Sequence, residues 1–94
     1  MEYTNKIIIT VSGSDKVGIV ANVAAVLASY QINIEDIKQT LMQGHFVMFM
    51  LCDISKSEST FKDIQTSLKE ECNKMGMEVW VQRKEIFDSM HTVA

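Results

Sequence analysis

An α+β fold of order β-α-β-β-α-β, a two-layer sandwich of one four-stranded antiparallel sheet and two helices with a short C-terminal helix or tail, is predicted by three features of the sequence. The apolar period switches between two and 3.6 residues in that order along the chain. Ile plus Val number nineteen against four Leu, a skew that favours pleated, half-buried strands. Of the 94 residues 47% are hydrophobic and 22% charged, enough to bury one core and too short for two.

The first strand is carried by Ile7, Ile9 and Val11, which alternate with Ile8, Thr10 and Ser12 and stop at Gly13, Ser14 and Asp15. From Val17 the period lengthens. Val20, Val23, Ala24 and Leu27 fall at i, i+3, i+4 and i+7, which predicts a helix to Ser29 or Tyr30. Ile32 to Met42 reads as the second strand, but Ile32 and Ile34 lie on one parity and Ile37 and Leu41 on the other. A one-residue bulge near Glu35 and Asp36 would return both sets to one face.

Gln43 and Gly44 then make a tight hairpin turn, with Gly44 free to take positive φ. His45 to Ile54 is apolar on both parities, Phe46, Met48, Met50 and Cys52 against Val47, Phe49 and Leu51, which marks a central strand. The polar run Ser55 to Thr60 offers N-caps for a helix built on Phe61, Ile64, Leu68, Cys72 and Met75, with Gly76 as its C-terminal cap. Met77, Val79 and Val81 alternate with Glu78, Trp80 and Gln82 in a last, edge strand.

Residues 1–83 thus form the domain and 84–94 a tail in which Ile86, Phe87 and Met90 share one side of a short helix. The tail could cover the sheet face opposite the helices, over Ile8, Trp80 and one side of the third strand, or it could dock another protein. This element order is the split βαβ of ferredoxin-like domains, with strands one and three in the centre. Many functions use that fold, so the site has to decide.

Several classes fall away on composition. A net charge of −3 with a single arginine, Arg83, gives no nucleic-acid footprint. An RNA-binding sheet would also need aromatics on the exposed faces of strands one and three, and strand one has none. The longest apolar run, Phe46 to Cys52, is about a third of a membrane span, and Met1, Glu2, Tyr3, Thr4 and Asn5 do not resemble a signal peptide. A cytoplasmic protein with no membrane partner is expected. Cys52 and Cys72 lie in unrelated contexts, form no C-x-x-C pair and read as buried reduced thiols.

Catalytic constellations are equally thin. The turn from Gly13 to Gly18 is not a P-loop, because Ile19 and Val20 stand where Lys and Ser or Thr are needed. It has no arginine to hold phosphate and no cysteine pair for a metal, so neither metal nor cofactor is expected. His45 and His91 have no sequence-local nucleophile or ligand partner. No enzyme is predicted.

The turn itself remains. A loop entering a helix N-terminus presents free N–H groups that can hold a carboxylate, and Gly18 would let a ligand approach the backbone. Asp15 could accept from an ammonium group and Asn33 could both donate and accept. The alternative is that Ser14 or Asp15 merely caps the helix and Asn33 ends a turn.

In combination, Gly13-x-Asp15-x-x-Gly18-Ile19-Val20-Ala21-x-Val23, Leu27-Ala28, Asn33-Ile34-x-Asp36-Ile37-x-Gln39-Thr40 and Phe46-x-Met48 strongly resemble the ACT domain. The likeness covers nearly the whole chain and is nearest to stand-alone ACT proteins, with related sequences in formyltetrahydrofolate deformylase and the glycine-cleavage repressor. The resemblance implies a regulatory module, commonly for an amino acid, with its site between the first β-α turn of one subunit and strand two of its neighbour. Carried over by position, Asp15, Lys16, Val17, Gly18, Ile19 and Val20 lie on one side and Asn33, Ile34 and Asp36 on the other. ACT domains usually adjoin an effector domain; none is expected in this chain, so regulation is expected to act in trans on an unidentified protein.

Gly18, Ala21, Ala25 and Ala28 form a ridge of small residues offset from the core stripe, which would let a second helix approach in a homodimer. Alanine is also simply a good helix former. The expected function is binding of an amino acid or similar small metabolite at a dimer interface; the competing one is a protein-interaction or assembly module with no small-molecule ligand.

Overall fold

The computed structural model describes residues 5–91; residues 1–4 and 92–94 and the side chains of Met90 and His91 lie outside the described set, as do the sequence readings placed on them. Strands β1 (Lys6–Ser14), β2 (Asn33–Met42), β3 (His45–Asp53) and β4 (Glu78–Arg83) form one antiparallel sheet in the order β2-β3-β1-β4. Helices α1 (Ile19–Ser29) and α2 (Phe61–Lys74) pack on one face, and α3 (Lys84–His91) follows β4. The predicted ferredoxin-like order and central pair are those observed.

The core is a single apolar layer. Ile7, Ile9 and Val11 of β1 and Met48, Met50 and Cys52 of β3 are all 0% exposed. Ile19, Val23 and Leu27 of α1 and Ile64, Leu68 and Cys72 of α2 close over them. Full burial of each large aliphatic side chain contributes about 1.5–3 kcal/mol, and no described polar residue is buried among them to offset it.

The strand irregularity predicted in β2 is present. Its pairing with β3 shifts between Ile34 and Asp36, so that Ile34 lies opposite Cys52 and Ile37 opposite Met50, both packed against the core. The extra residue is Glu35. At the β2–β3 hairpin both Gln43 (φ 51°) and Gly44 (φ 82°) are left-handed, the pairing a two-residue type I′ turn requires.

The start of α1 departs from the sequence reading, whereas both helix C-termini fall where expected. Helix α1 starts at Ile19, later than Val17, because Gly18 takes a left-handed conformation (φ 91°) at its N-cap. The core stripe rotates accordingly, with Ile19 buried and Val20 half-buried. Helix α2 ends as expected at Gly76, with Met77 N–H bonded to Cys72 O at 2.8 Å and Gly76 N–H to Asn73 O at 3.1 Å. Helix α1 ends the same way without glycine. Gln31 (φ 59°) is left-handed there, and Ile32 N–H reaches Leu27 O at 3.0 Å.

Helix α3 packs against β1 and β4. Its Phe87 meets Phe49 edge-on, with centroids 6.3 Å apart, on the sheet face opposite α1 and α2. Ile8 is buried on that face, whereas Trp80 stays half exposed. An edge-on aromatic pair adds about 0.5–1.5 kcal/mol beyond the area it buries. Phe87→Ala should therefore lower urea-denaturation stability by about 1–2 kcal/mol; an unchanged midpoint would show that α3 does not consolidate the sheet.

Candidate functional site

The β1–α1 turn is pinned to the hairpin beside it, because Asp15 N–H donates to Gly44 O at 3.0 Å. Neither Ser14 nor Asp15 caps α1: the helix start has no side-chain cap and no acidic residue in its first turn. Its first N–H groups therefore face outward without a side-chain acceptor. Asp15, Lys16 and Val17 are exposed, Val17 fully so, although it is apolar. Ile19 contributes its side chain to the core, which leaves only its backbone for a ligand. The Lys16 ammonium would lie 3.9 Å from a Cβ added at Gly76, which puts it at the C-terminal end of α2.

Asn33, Ile34 and Asp36 sit elsewhere. Asn33 pairs with Asp53 at one end of the sheet, and Met42 and Ser14 both pair with His45 at the other. A ten-residue strand separates them, about 30 Å at 3.3 Å per residue. Asn33 is exposed, Ile34 half-buried, and Asp36 Oδ1 accepts from Ile37 N–H at 2.9 Å. One chain does not bring the two groups together. Ala21, Ala25 and Ala28 are exposed along α1 and Gly18 is half-buried, and the helix carries no charged residue.

A cavity that periodicity did not reveal opens at the Asn33 end. It has a volume of about 420 Å³ and is bounded by Ala28, Gln31, Asn33, Asp53, Ser55 and Lys56. It joins the contiguous end of α1 and start of β2 to the connection after β3, which the sheet register brings beside them. Beside it, Lys6 bridges Glu35 at 2.5 Å and Asp53 at 3.2 Å. The bulge that frees Glu35 from the strand ladder lets it reach Lys6. The Ser55 backbone N–H, 2.8 Å from Asp53 Oδ1, together with the Ser55 hydroxyl and then the Lys6 ammonium, holds the Asp53 carboxyl down at about 2.

Reactive chemistry is sparse. Burial pushes the Cys52 thiol up to about 12 and the Cys72 thiol up to about 11, so both stay protonated at neutral pH. Strand pairing gives His45 a partner that sequence distance hid, Ser12 Oγ at 3.0 Å from Nε2. That exposed pair has no carboxylate hydrogen-bonded behind the imidazole among the described residues. Among the described residues no cluster of His, Cys, Asp or Glu is arranged for a metal ion, and no helix is long and apolar enough to cross a membrane.

The model of the ACT-domain family matches residues 5–82. This chain belongs to the ACT-domain family. A UPF0237 protein of Clostridium acetobutylicum is 49% identical over 88 residues, covering 94% of this chain and 99% of that one. An ACT domain protein from Streptococcus pneumoniae superposes with a TM-score of 0.77 at 30% identity, covering 96% of this chain and 98% of that one. The fold also recurs within larger chains: a formyltetrahydrofolate deformylase from Pseudomonas putida (TM-score 0.74, 15% identity) and a putative glycine cleavage system transcriptional repressor (0.74, 23%). This ACT domain covers 83% and 84% of its own length in those matches but only 28% and 45% of the larger proteins.

The Asp53 geometry carries a pH dependence. A carboxyl held below its unfolded value of about 3.9 stabilises the fold above that pH, and the contribution is lost as pH falls toward 2. For a partly exposed group the effect is about 1 kcal/mol or less. Asp53→Asn should be less stable than the parent by that amount at pH 6, with the gap closing by about pH 2 in urea titrations. A gap of equal size at both pH values would contradict the assignment.

Proposed function

We propose that this ACT-domain protein is a non-catalytic, cytoplasmic regulatory module that binds an amino acid or similar small metabolite where two copies meet, and that acts on a partner protein in trans. The β1–α1 turn carries the reading. It combines a fully exposed Val17, a left-handed Gly18 whose missing Cβ would touch only the Asn22 side chain, at 3.7 Å, and an uncapped helix start. Such a helix start favours a carboxylate by its outward N–H groups and dipole. Asp15 beside it is exposed and offers a carboxylate to an ammonium group.

Two copies are called for because Asn33 lies about 30 Å and Asp36 about 20 Å along β2 from the turn end of their own chain. The uncharged, exposed face of α1, with Gly18, Ala21, Ala25 and Ala28, suits close approach of a second helix. Pairing of copies would also shield the exposed edge strand β2, where Leu41 and Met42 face water. Occupancy has to favour one of two states for a signal to pass, and a coupling of about 1–3 kcal/mol suffices.

A thermal-shift screen of the twenty amino acids and common metabolites tests this. A ligand at 100 times its Kd adds about 2.7 kcal/mol, or about 11 °C or more for a domain of this size. Gly18→Leu should abolish that shift, at an intrinsic cost of about 1–2 kcal/mol from the left-handed backbone. A flat screen would overturn the reading and favour a protein-interaction module.

A further inference from the structure

Strand β4 lies at an edge of the sheet, and the strand register fixes which of its backbone groups stay unpaired. Ile54 N–H donates to Asn5 O at 2.8 Å and Asp15 N–H to Gly44 O at 3.0 Å, one at each end of β1 on the side of β3. Odd-numbered residues of β1 therefore bond β3, while Ile8, Thr10 and Ser12 bond their partners Gln82, Trp80 and Glu78 in β4. The N–H and C=O of Val79 and Val81 then point off the sheet. Gln65 of α2 agrees, since its Nε2 donates to Val81 O at 3.4 Å, a long bond that an incoming strand can replace. Among the described residues no backbone group pairs with this edge.

A groove runs between the edge and α2, two adjoining hollows of about 150 and 260 Å³ that share Lys69, Val79 and Trp80. Lys62, Gln65, Lys69 and Asn73 recur at i, i+3, i+7 and i+11, one face of α2. Lys62 and Lys69 are exposed and make no ion pair among the described residues. Arg83, stacked over Phe61, ends the strand. Asp63 and Glu70 fall about 100° further round the helix, so the carboxylate bordering the groove is Glu78, at its far end. On the sheet face away from α1 and α2, Trp80 is 49% exposed.

We propose that the free edge of β4 docks an extended segment of a partner protein, which adds as a fifth strand and carries acidic residues alternating with apolar ones. Val79 and Val81 each exchange an N–H and a C=O bond with it. Side chains of such a strand alternate between the two faces. Those on the helix side meet Lys69 and Gln65, which suits carboxylates; those on the other side meet Trp80, which suits apolar groups. A second copy is the poorer occupant. With Val79 opposite Val81 about a two-fold axis, Lys69 of each copy would lie beside Lys69 of the other, and like charges repel. If copies also join along β2, a second such interface on the opposite edge would add copies without end. The proposal names a surface through which action in trans would pass, and it stands whether or not a metabolite binds at the β1–α1 turn.

The test is selection of a displayed library of random peptides of about ten residues on the full chain, then titration of the selected peptides into the parent, Lys69→Glu and Val79→Pro proteins. Selected sequences should alternate acidic and apolar residues, and on binding them the Val79 and Val81 amides of the parent should gain protection from hydrogen exchange. Val79→Pro removes an outward N–H that β1 does not use and should weaken binding at least about tenfold. Lys69→Glu, at an exposed position, should weaken it as much with the melting temperature unchanged, and Lys69→Arg should restore it. If Val79→Pro does not fold, Lys69→Glu alone decides. Peptides that bind the Lys69→Glu protein as tightly as the parent, or that protect β2 amides in place of Val79 and Val81, overturn the proposal. So does a selection that enriches no acidic and apolar alternation. None of these outcomes touches the thermal-shift screen, so the metabolite reading stands or falls separately.

Discussion

The antiparallel pairing of β1 with β3 is the constraint on which the rest depends. Running unbroken from Lys6 opposite Asp53 to Ser14 opposite His45, it stacks two strands of fully buried side chains beneath both helices. A shift of one residue would send Ile7, Ile9 and Val11 to the opposite face, so the hydrophobic layer fixes the register strongly. That register then sets what lies at each end of the sheet. At one end the β1–α1 turn is tied to Gly44 of the hairpin; at the other Asn33, Asp53 and Lys6 come together.

The proposed function rests on that separation. The turn carries exposed backbone donors and an exposed apolar Val17, but Asn33, its proposed partner, lies a strand's length away. The far end has a cavity and charged side chains, yet no glycine turn of its own. In the proposed reading each end is half of a site, and a second copy of the chain would supply the missing half to each. The β2 bulge belongs to the same design: by adding Glu35 it keeps Ile34 and Ile37 in the core and sends a carboxylate to Lys6, which in turn steadies Asp53.

Much of the fold was legible because its signals are local and periodic. Two parities of isoleucine in β2 required a bulge, the doubly apolar β3 required a central position, and Gly76 marked the end of α2. What escaped depended on tertiary proximity. Gln31 carries no sequence mark of the left-handed conformation that ends α1, which shows only in the folded turn where Ile32 N–H reaches Leu27 O. Ser12 and His45 meet only through strand register, 33 residues apart in sequence. The family motif marked the turn and Asn33, but Asp53, Ser55 and Lys56 read as the end of a strand and a polar connection. Only the folded sheet brings them to the foot of α1.

Subunit complementation tests the shared-site account most directly. Gly18→Leu protein and Asn33→Ala protein, each unable to bind an amino acid that the parent binds, would be unfolded together, refolded as a mixture and titrated. The account predicts that binding returns in the mixture, at half of the sites of each mixed dimer, because one intact turn then faces one intact Asn33. A mixture that binds no more than its two parents would contradict a site built from two chains.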